Sequence, residues 1–277
     1  MRPVLFQVGP LPVSSFGVFL LLAFVVGILV TRARARRRGW DGGDVIDLSL
    51  YAIIGGIVGA RVGHVLIYWK EFAGYPMRIF TIWRDAGLTF YGALLGGAVV
   101  AWAYGRRRGW SLGQIADVAA PGIALGYAIA MIGTLLYGLN YGRPTTLPWA
   151  VVLFGEPRHP TQLYLMAAAL IIFAILLLAE RRPMAPGRLF WLFILLYAIA
   201  RIAIERYMDS PRVFGPLTLA QAANIVAGAL ALVMWIVLGR QPAPKPATTA
   251  VDPESSSIAP PAEPIATPAS KTGEPNG

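Results

Sequence analysis

The chain has 277 residues, 56% of them hydrophobic and 14% charged, with a mean hydropathy of +0.60. Soluble domains carry about 25% charged residues, so a soluble globular fold is excluded. Lys and Arg outnumber Asp and Glu by 24 to 14, a net charge of +10. The absence of cysteine excludes disulfides, thiolate metal sites and a protein-borne thiol nucleophile, so any sulfur chemistry uses sulfur that a substrate brings.

A membrane span takes about 20 mostly apolar residues. That ruler predicts seven, at about 13–31, 45–69, 87–104, 115–138, 160–179, 188–207 and 217–238. The lengths predict an all-α polytopic bundle rather than a barrel. Arg32, Arg34, Arg36, Arg37 and Arg38 follow the first span, and Arg106, Arg107 and Arg108 follow the third. Arg181, Arg182 and Arg188 lie between the fifth and sixth, and Arg240 and Lys245 follow the seventh. Basic loops stay cytoplasmic, so the expected N-terminus is outside and the C-terminus inside, with connectors near 70–86, 139–159 and 208–216 outside. The basic excess is then a topology signal and not the mark of a nucleic-acid partner. The first run precedes its positive cluster and lacks a small-residue cleavage pattern, so it is expected to remain as a span. From Gln241 the composition turns to Pro, Ala, Ser and Thr. Residues 1–240 are expected to form the membrane domain and 241–277 a disordered cytoplasmic tail.

Ionisable side chains inside a span are expensive, and each is a candidate for function. Arg61 and His64 fall in the second span, and Arg201 and Glu205 fall on one face of the sixth at an i,i+4 spacing. Two readings of that pair stand: a self-neutralising structural ion pair, or part of a site. In the inferred topology Arg61, Arg201 and Glu205 share the outer half of the membrane, and Tyr91 begins the third span at the same level, which predicts a site opening outward. Gly92, Gly96 and Gly97 also serve close helix packing. His64 reads as a residue of a helix interface and His159 as a solvated loop residue. The segment Tyr137–Pro144 combines glycine, aromatics, Asn140 and Arg143. It suits either a cradle for an anionic headgroup or an interfacial re-entry loop.

At these residues the chain resembles the prolipoprotein diacylglyceryl transferase family, from about Val8 to Leu238. Val8, Gly9, Pro10 and Leu11 look like its opening, Gly59 to Leu66 resembles its Gly-Ala-Arg-x-Gly segment, and YGRPTTLPWAV from Tyr141 to Val151 is similar to its outer loop. RHPTQLY from Arg158 to Tyr164 matches the next motif. Tyr197, Arg201 and Glu205 match the Tyr, Arg and Glu of the sixth span, and Leu219 and Gln221 resemble the start of the seventh. The chain departs from the family at four places. Tyr91-Gly92-Ala93 stands where well-known members have an HGG-type motif, Met131 and Thr134 replace the Arg and Asn of an Arg-Ile-Gly-Asn segment, and Phe16 stands for a Tyr.

The resemblance implies transfer of a diacylglyceryl group from phosphatidylglycerol to the lipobox cysteine thiol of a precursor lipoprotein, forming a thioether, with no metal or organic cofactor. It implies a multi-pass protein of the bacterial plasma membrane. Arg201 and Glu205, carried over by motif, and Tyr91, which stands at the place of the HGG-type motif, are the expected catalytic group. Arg61, Gly142, Arg143, His159, Gln162 and Tyr197 are the expected substrate-binding group. The four departures motivate a rival reading, a diverged paralogue that binds lipid or lipoprotein without transfer. A solute transporter is a third class, opposed by the lack of internal repeats.

Overall fold

The computed structural model describes residues 2–9, 11–80 and 87–241. Pro10 of the opening motif, residues 81–86 of the 70–86 connector and the tail from 242, with Lys245, lie outside the described residues, as does the expectation of a disordered tail.

The long helices begin where a side-chain oxygen can accept from an orphan backbone N–H of the first turn. Helix α1 (Ser15–Arg37) is capped by Ser14, whose Oγ accepts from Gly17 N at 3.0 Å, and α2 (Gly42–Ile67) by Asp41. A single turn α3 (Trp69–Phe72) and a 3-10 turn (Pro76–Phe80) follow. Helix α4 (Phe90–Arg108) ends on Gly109 at φ 71°, a left-handed position that glycine takes without strain. Helix α5 (Leu112–Tyr137) opens on a Ser111–Gln114 capping box. Helices α6 (Thr161–Ala179) and α7 (Arg188–Glu205) follow, and α8 (Leu219–Gly239) opens on a second capping box, Thr218 with Gln221.

The apolar ruler stops where charge begins, but the helices continue: α1 runs past Thr31 to Arg37 and α4 past Tyr104 to Arg108. Arginine is a good helix former and favours the C-terminal end of the helix dipole. Three hairpins were not expected: β1 (Val4–Val8) with β2 (Leu11–Ser14), β3 (Val151–Leu153) with β4 (Glu156–Arg158), and β5 (Arg212–Phe214) with β6 (Leu217–Thr218). Such short strands leave too little alternation to read.

Among the described residues, α1, α2, α5, α6 and α8 are long and apolar enough to cross a membrane. In the two remaining long helices the charges interrupt a shorter apolar run: the 19-residue α4 ends in Arg106, Arg107 and Arg108, and the 18-residue α7 carries Arg188, Arg201 and Glu205. Large apolar side chains such as Leu21, Leu66 and Val226 point outward and are exposed, as they do where lipid is the solvent.

A core of Ala120, Ala124, Ile172, Leu176, Leu189 and Phe193 joins α5, α6 and α7. Helices α2 and α4 meet through glycines, and a Cβ built on Gly59 would lie 2.8 Å from Gly96 Cα. The packing reading of Gly92 and Gly96 is therefore the one the structure fills. The His64 ring packs against Tyr68 and Phe72 at 4.7 and 5.8 Å, between the end of α2 and α3.

One end of the bundle carries the arginine-rich turns. There Arg34, 5% exposed, pairs with Glu180 and donates to Val118 O and Asp117 O. The Asp117 carboxylate in turn accepts from Gly187 N at 2.7 Å and Phe190 N at 2.8 Å, capping α7 from another helix. Trp40 and Trp110 stack at 4.0 Å beside it. The opposite end carries the chain start and the connectors after α5 and α7, tied by Arg2 N to Leu136 O at 2.9 Å and by a β-bridge between Gly142 and Met208.

Candidate active site at the loop end of the bundle

Helical period places Tyr197, Arg201 and Glu205 in a row along α7. Arg201 Nη1 lies 2.8 Å from Glu205 Oε2, and the guanidinium also touches Met208 Sδ. Glu205 is 1% exposed. Burying a carboxylate costs several kcal/mol unless charge and hydrogen bonds offset it, and here both do. Thr218 donates from Oγ1 to Glu205 Oε1 at 3.0 Å while accepting from Gln221 N at 3.1 Å. One hydroxyl thus caps α8 and braces the α7 carboxylate. Tyr197 meets Tyr127 of α5 edge to face at 5.5 Å, and the two border a narrow void that reaches Arg201.

The two connectors above this pair are bound to each other. Arg143 N donates to Tyr207 O at 2.9 Å, its Nε donates to Met208 O at 3.0 Å, and Arg143 O accepts from His159 N at 3.0 Å. Arg158 bridges to Asp209 Oδ2 at 2.9 Å and to Gly142 O at 3.2 Å. Gly142 is required by the closeness of these strands: a Cβ there would stand 2.9 Å from Tyr207 O and 2.6 Å from His159 Cβ. Gln162, fully buried, donates from Nε2 to Leu139 O at 2.6 Å, and its Oε1 has no hydrogen-bond partner among the described residues. The ring of His159 lies between Tyr164 and Tyr207, with Nδ1 3.4 Å from Tyr164 Oη. Gly142 and Arg143 thus reach the Arg201–Glu205 pair through Met208, His159 binds to Arg143, and Gln162 holds the same loop at Leu139. Sequence reading missed Met208, because a methionine in a connector carries no signal.

Arg61 and Tyr91 stand elsewhere. Arg61, 4% exposed, donates Nε to Ile79 O at 2.9 Å, Nη2 to Arg78 O at 2.5 Å and Nη1 to Gly87 O at 3.3 Å, with its guanidinium over the Phe72 ring. It holds the segment between α2 and α4. Tyr91 is 66% exposed and packs edge-on against Phe90. Among the described residues no hydrogen bond or ring contact links it to Arg201 or Glu205.

Of the other positions that depart from the family pattern, Met131, Thr134 and Phe16 are occupied by packing. Thr134 Oγ1 donates to Met131 O at 2.8 Å within α5, and both side chains are buried. Phe16 tilts against Tyr137 at 6.2 Å. Cations come instead from the connectors. A polar cavity of about 250 Å³ beside Glu205, Thr218 and Gln221 is lined by Arg143, Arg206 and Arg212. Sequence reading passed over the last two because Arg206 and Arg212 lie at or beyond the end of α7, where arginine is ordinary. A second cavity, apolar and about 500 Å³, opens between α1, α2 and α5, with Leu20, Phe24, Ile53, Phe90 and Tyr127 on its walls. Tyr127 borders both this crevice and the void at Arg201. Among the described residues no cluster of acids and histidines has the make-up of a metal site.

A model of the prolipoprotein diacylglyceryl transferase family matches residues 3–237. A protein of Nostoc sp. named phosphatidylglycerol–prolipoprotein diacylglyceryl transferase is 32% identical over 268 residues, 90% of this chain and 94% of its own length. Proteins of the same name from Aromatoleum aromaticum and Legionella pneumophila are 37% and 33% identical over 228 and 247 residues. These cover 78% and 85% of this chain, and 86% and 96% of their own lengths.

Proposed function

The chain belongs to the prolipoprotein diacylglyceryl transferase family, a multi-pass membrane transferase by its kinship and its apolar helices, and from that membership we propose that it moves the diacylglyceryl group of phosphatidylglycerol onto the lipobox cysteine of precursor lipoproteins. The precursor's sulfur attacks the glyceryl carbon that bears the phosphate. A carbon–sulfur bond forms, the carbon–oxygen bond breaks, its electron pair stays on the phosphate oxygen, and glycerol phosphate leaves while the thiol proton passes to solvent or a base. Charge grows on the phosphate as that bond opens, so a fixed guanidinium there lowers the barrier.

The observation that carries this reading is the Arg201–Glu205 pair on α7, its carboxylate buried and braced by Thr218. In the proposal Arg201 meets the phosphate, Glu205 orients Arg201, and Tyr197 fixes the wall beside them. Gly142, Arg143, His159 and Gln162 shape the loop over the substrate. Arg61 holds the α2–α4 segment in place, and Tyr91 meets the incoming precursor at the edge of the crevice that Phe90 lines. The apolar crevice suits acyl chains, with Tyr127 at the boundary between chains and headgroup. The proposal includes seven spans, α1, α2 and α4 to α8, with the arginine-rich turns and the C-terminal tail from 241 cytoplasmic, the N-terminus outside and the site opening to the outer side of the bacterial plasma membrane.

The test is incubation of the purified protein with phosphatidylglycerol and a lipobox peptide in detergent, read by the mass added to the peptide cysteine. Arg201→Ala is expected to abolish the added mass while the protein elutes as before, and unchanged turnover removes Arg201 from the mechanism. The burial of Met131 and Thr134 in α5, where the family pattern has an Arg and an Asn, favours one rival, a lipid-binding paralogue without transfer. No added mass beside an active relative in the same assay decides for that rival.

A further inference from the structure

The polar cavity beside Glu205 gathers more positive charge than its surroundings neutralise. Arg143 spends Nε on Met208 O. Among the described residues the guanidinium groups of Arg206 and Arg212 make no hydrogen bond or ion pair, and both residues line the cavity. The one carboxylate on its wall, Glu205, is already engaged by Arg201 and Thr218. Asp209, the nearest acid in the connector, is engaged by Arg158. Three guanidinium groups with no acid of their own repel one another across a small volume, and an anion relieves that repulsion. The N-terminal turn of α8, with Thr218 and Gln221 on the wall, adds the positive end of a 21-residue helix. Apart from Pro216 and Leu217 the lining is polar or charged, and the planar donor forks of arginine match the oxygens of a phosphate ester.

We infer that this cavity is a phosphate-ester site, in which Arg143, Arg206 and Arg212 receive the glycerol phosphate headgroup, and that the two connector arginines provide the cations that α5 lacks at Met131. The inference deepens the transfer reading and rests on it for the identity of the ester. The site lies at the loop end of the bundle, beside Arg201 through Glu205, so an ester released at Arg201 has a neighbouring cationic place on its way to water. Arg206 and Arg212 are therefore positioning residues for the leaving headgroup.

The experiment uses the full chain in detergent with glycerol phosphate as probe, read by calorimetric titration and by the shift in thermal midpoint on ligand addition. Glycerol serves as the neutral control. Wild type binds glycerol phosphate and not glycerol, and added inorganic phosphate competes. Arg206→Gln and Arg212→Gln each weaken binding about tenfold or more, as expected for loss of a charge-assisted contact, and the double variant removes it. Both side chains are exposed, so the apo thermal midpoint stays where it was. Arg107→Gln, on an exposed residue at the other end of the bundle, leaves binding unchanged. If the lipid headgroup uses the cavity, the two variants also raise KM for phosphatidylglycerol. If only the released ester does, KM stays constant while inhibition by added glycerol phosphate is lost. Binding of glycerol phosphate that is absent, or equal in wild type and the double variant, overturns the inference. Arginine-dependent binding in a protein that transfers nothing keeps the anion site and overturns the transfer reading alone.

Discussion

Glu205→Gln removes one negative charge and almost no volume from the buried pair beneath the loops. The amide keeps an oxygen that can accept from Thr218, so the brace across α7 and α8 survives, but Arg201 loses its counter-charge at 2.8 Å. The two groups meet at Oε2 as an ion pair, which contributes at most about 1.5–3 kcal/mol, the range for hydrogen bonds to charged groups. If Arg201 must be held for the departing phosphate, that loss falls on the transition state, and at about 1.4 kcal/mol per decade kcat/KM drops about 10- to 150-fold. Thr218→Val removes the hydroxyl from the same carboxylate and also uncaps α8, which costs about 1 kcal/mol of stability, whereas Thr218→Ser retains both roles and is expected near wild type. Because the hydroxyl acts through the carboxylate, the double variant Glu205→Gln/Thr218→Val should lose less than the two single losses multiplied, with coupling of about 0.5–3 kcal/mol. The assay is diacylglyceryl transfer to a lipobox peptide at varied phosphatidylglycerol, with elution profile and thermal midpoint as controls on folding. Turnover of Glu205→Gln equal to wild type, or losses that multiply independently, refutes the chain Thr218 to Glu205 to Arg201.

Three further predictions rest on contacts elsewhere. Gly59→Ala places a Cβ 2.8 Å from Gly96 Cα, against about 3.5–4.0 Å for an ordinary contact; α2 and α4 must part, at about 1–3 kcal/mol. Its thermal midpoint in detergent should fall while that of Gly97→Ala, whose Cβ would sit 3.4 Å from Ala52 O, should hold, and equal midpoints count against the glycine interface. Gly142→Ala forces the connectors after α5 and α7 apart at Tyr207 O and His159; transfer should fall together with the thermal midpoint, and full activity would separate Arg143 placement from that contact. Asp117→Ala orphans the N–H groups of Gly187 and Phe190, each costing about 1–3 kcal/mol. At about 2–4 °C per kcal/mol its melting temperature should drop by several degrees, and a value within one degree of wild type contradicts the cross-helix cap.

The apolar runs and the arginines between them located the long helices to within a few residues, since burial in lipid demands about 20 apolar residues per crossing whatever the neighbours do. Period alone put Tyr197, Arg201 and Glu205 on one face of α7, because an i,i+4 relation is internal to a helix. It left open how α7 is rotated toward α8, so the Thr218 brace on Glu205 was illegible. The same limit hid the surroundings of Arg61 and Tyr91. By position in the sequence they look alike, yet one is enclosed by the carbonyls of Arg78, Ile79 and Gly87 and the other is exposed beside Phe90. Connectors were least legible. Their paths follow from single hydrogen bonds such as Arg143 Nε to Met208 O, and no periodicity announces those. The motif residues Gly142, Arg143 and His159 were legible by resemblance, but Arg206 and Arg212 became candidates only when folding turned them onto the cavity beside Glu205. Hydropathy and charge are sums along the chain and survive in the sequence, whereas convergence of side chains depends on helix rotation and loop path, which only tertiary packing decides.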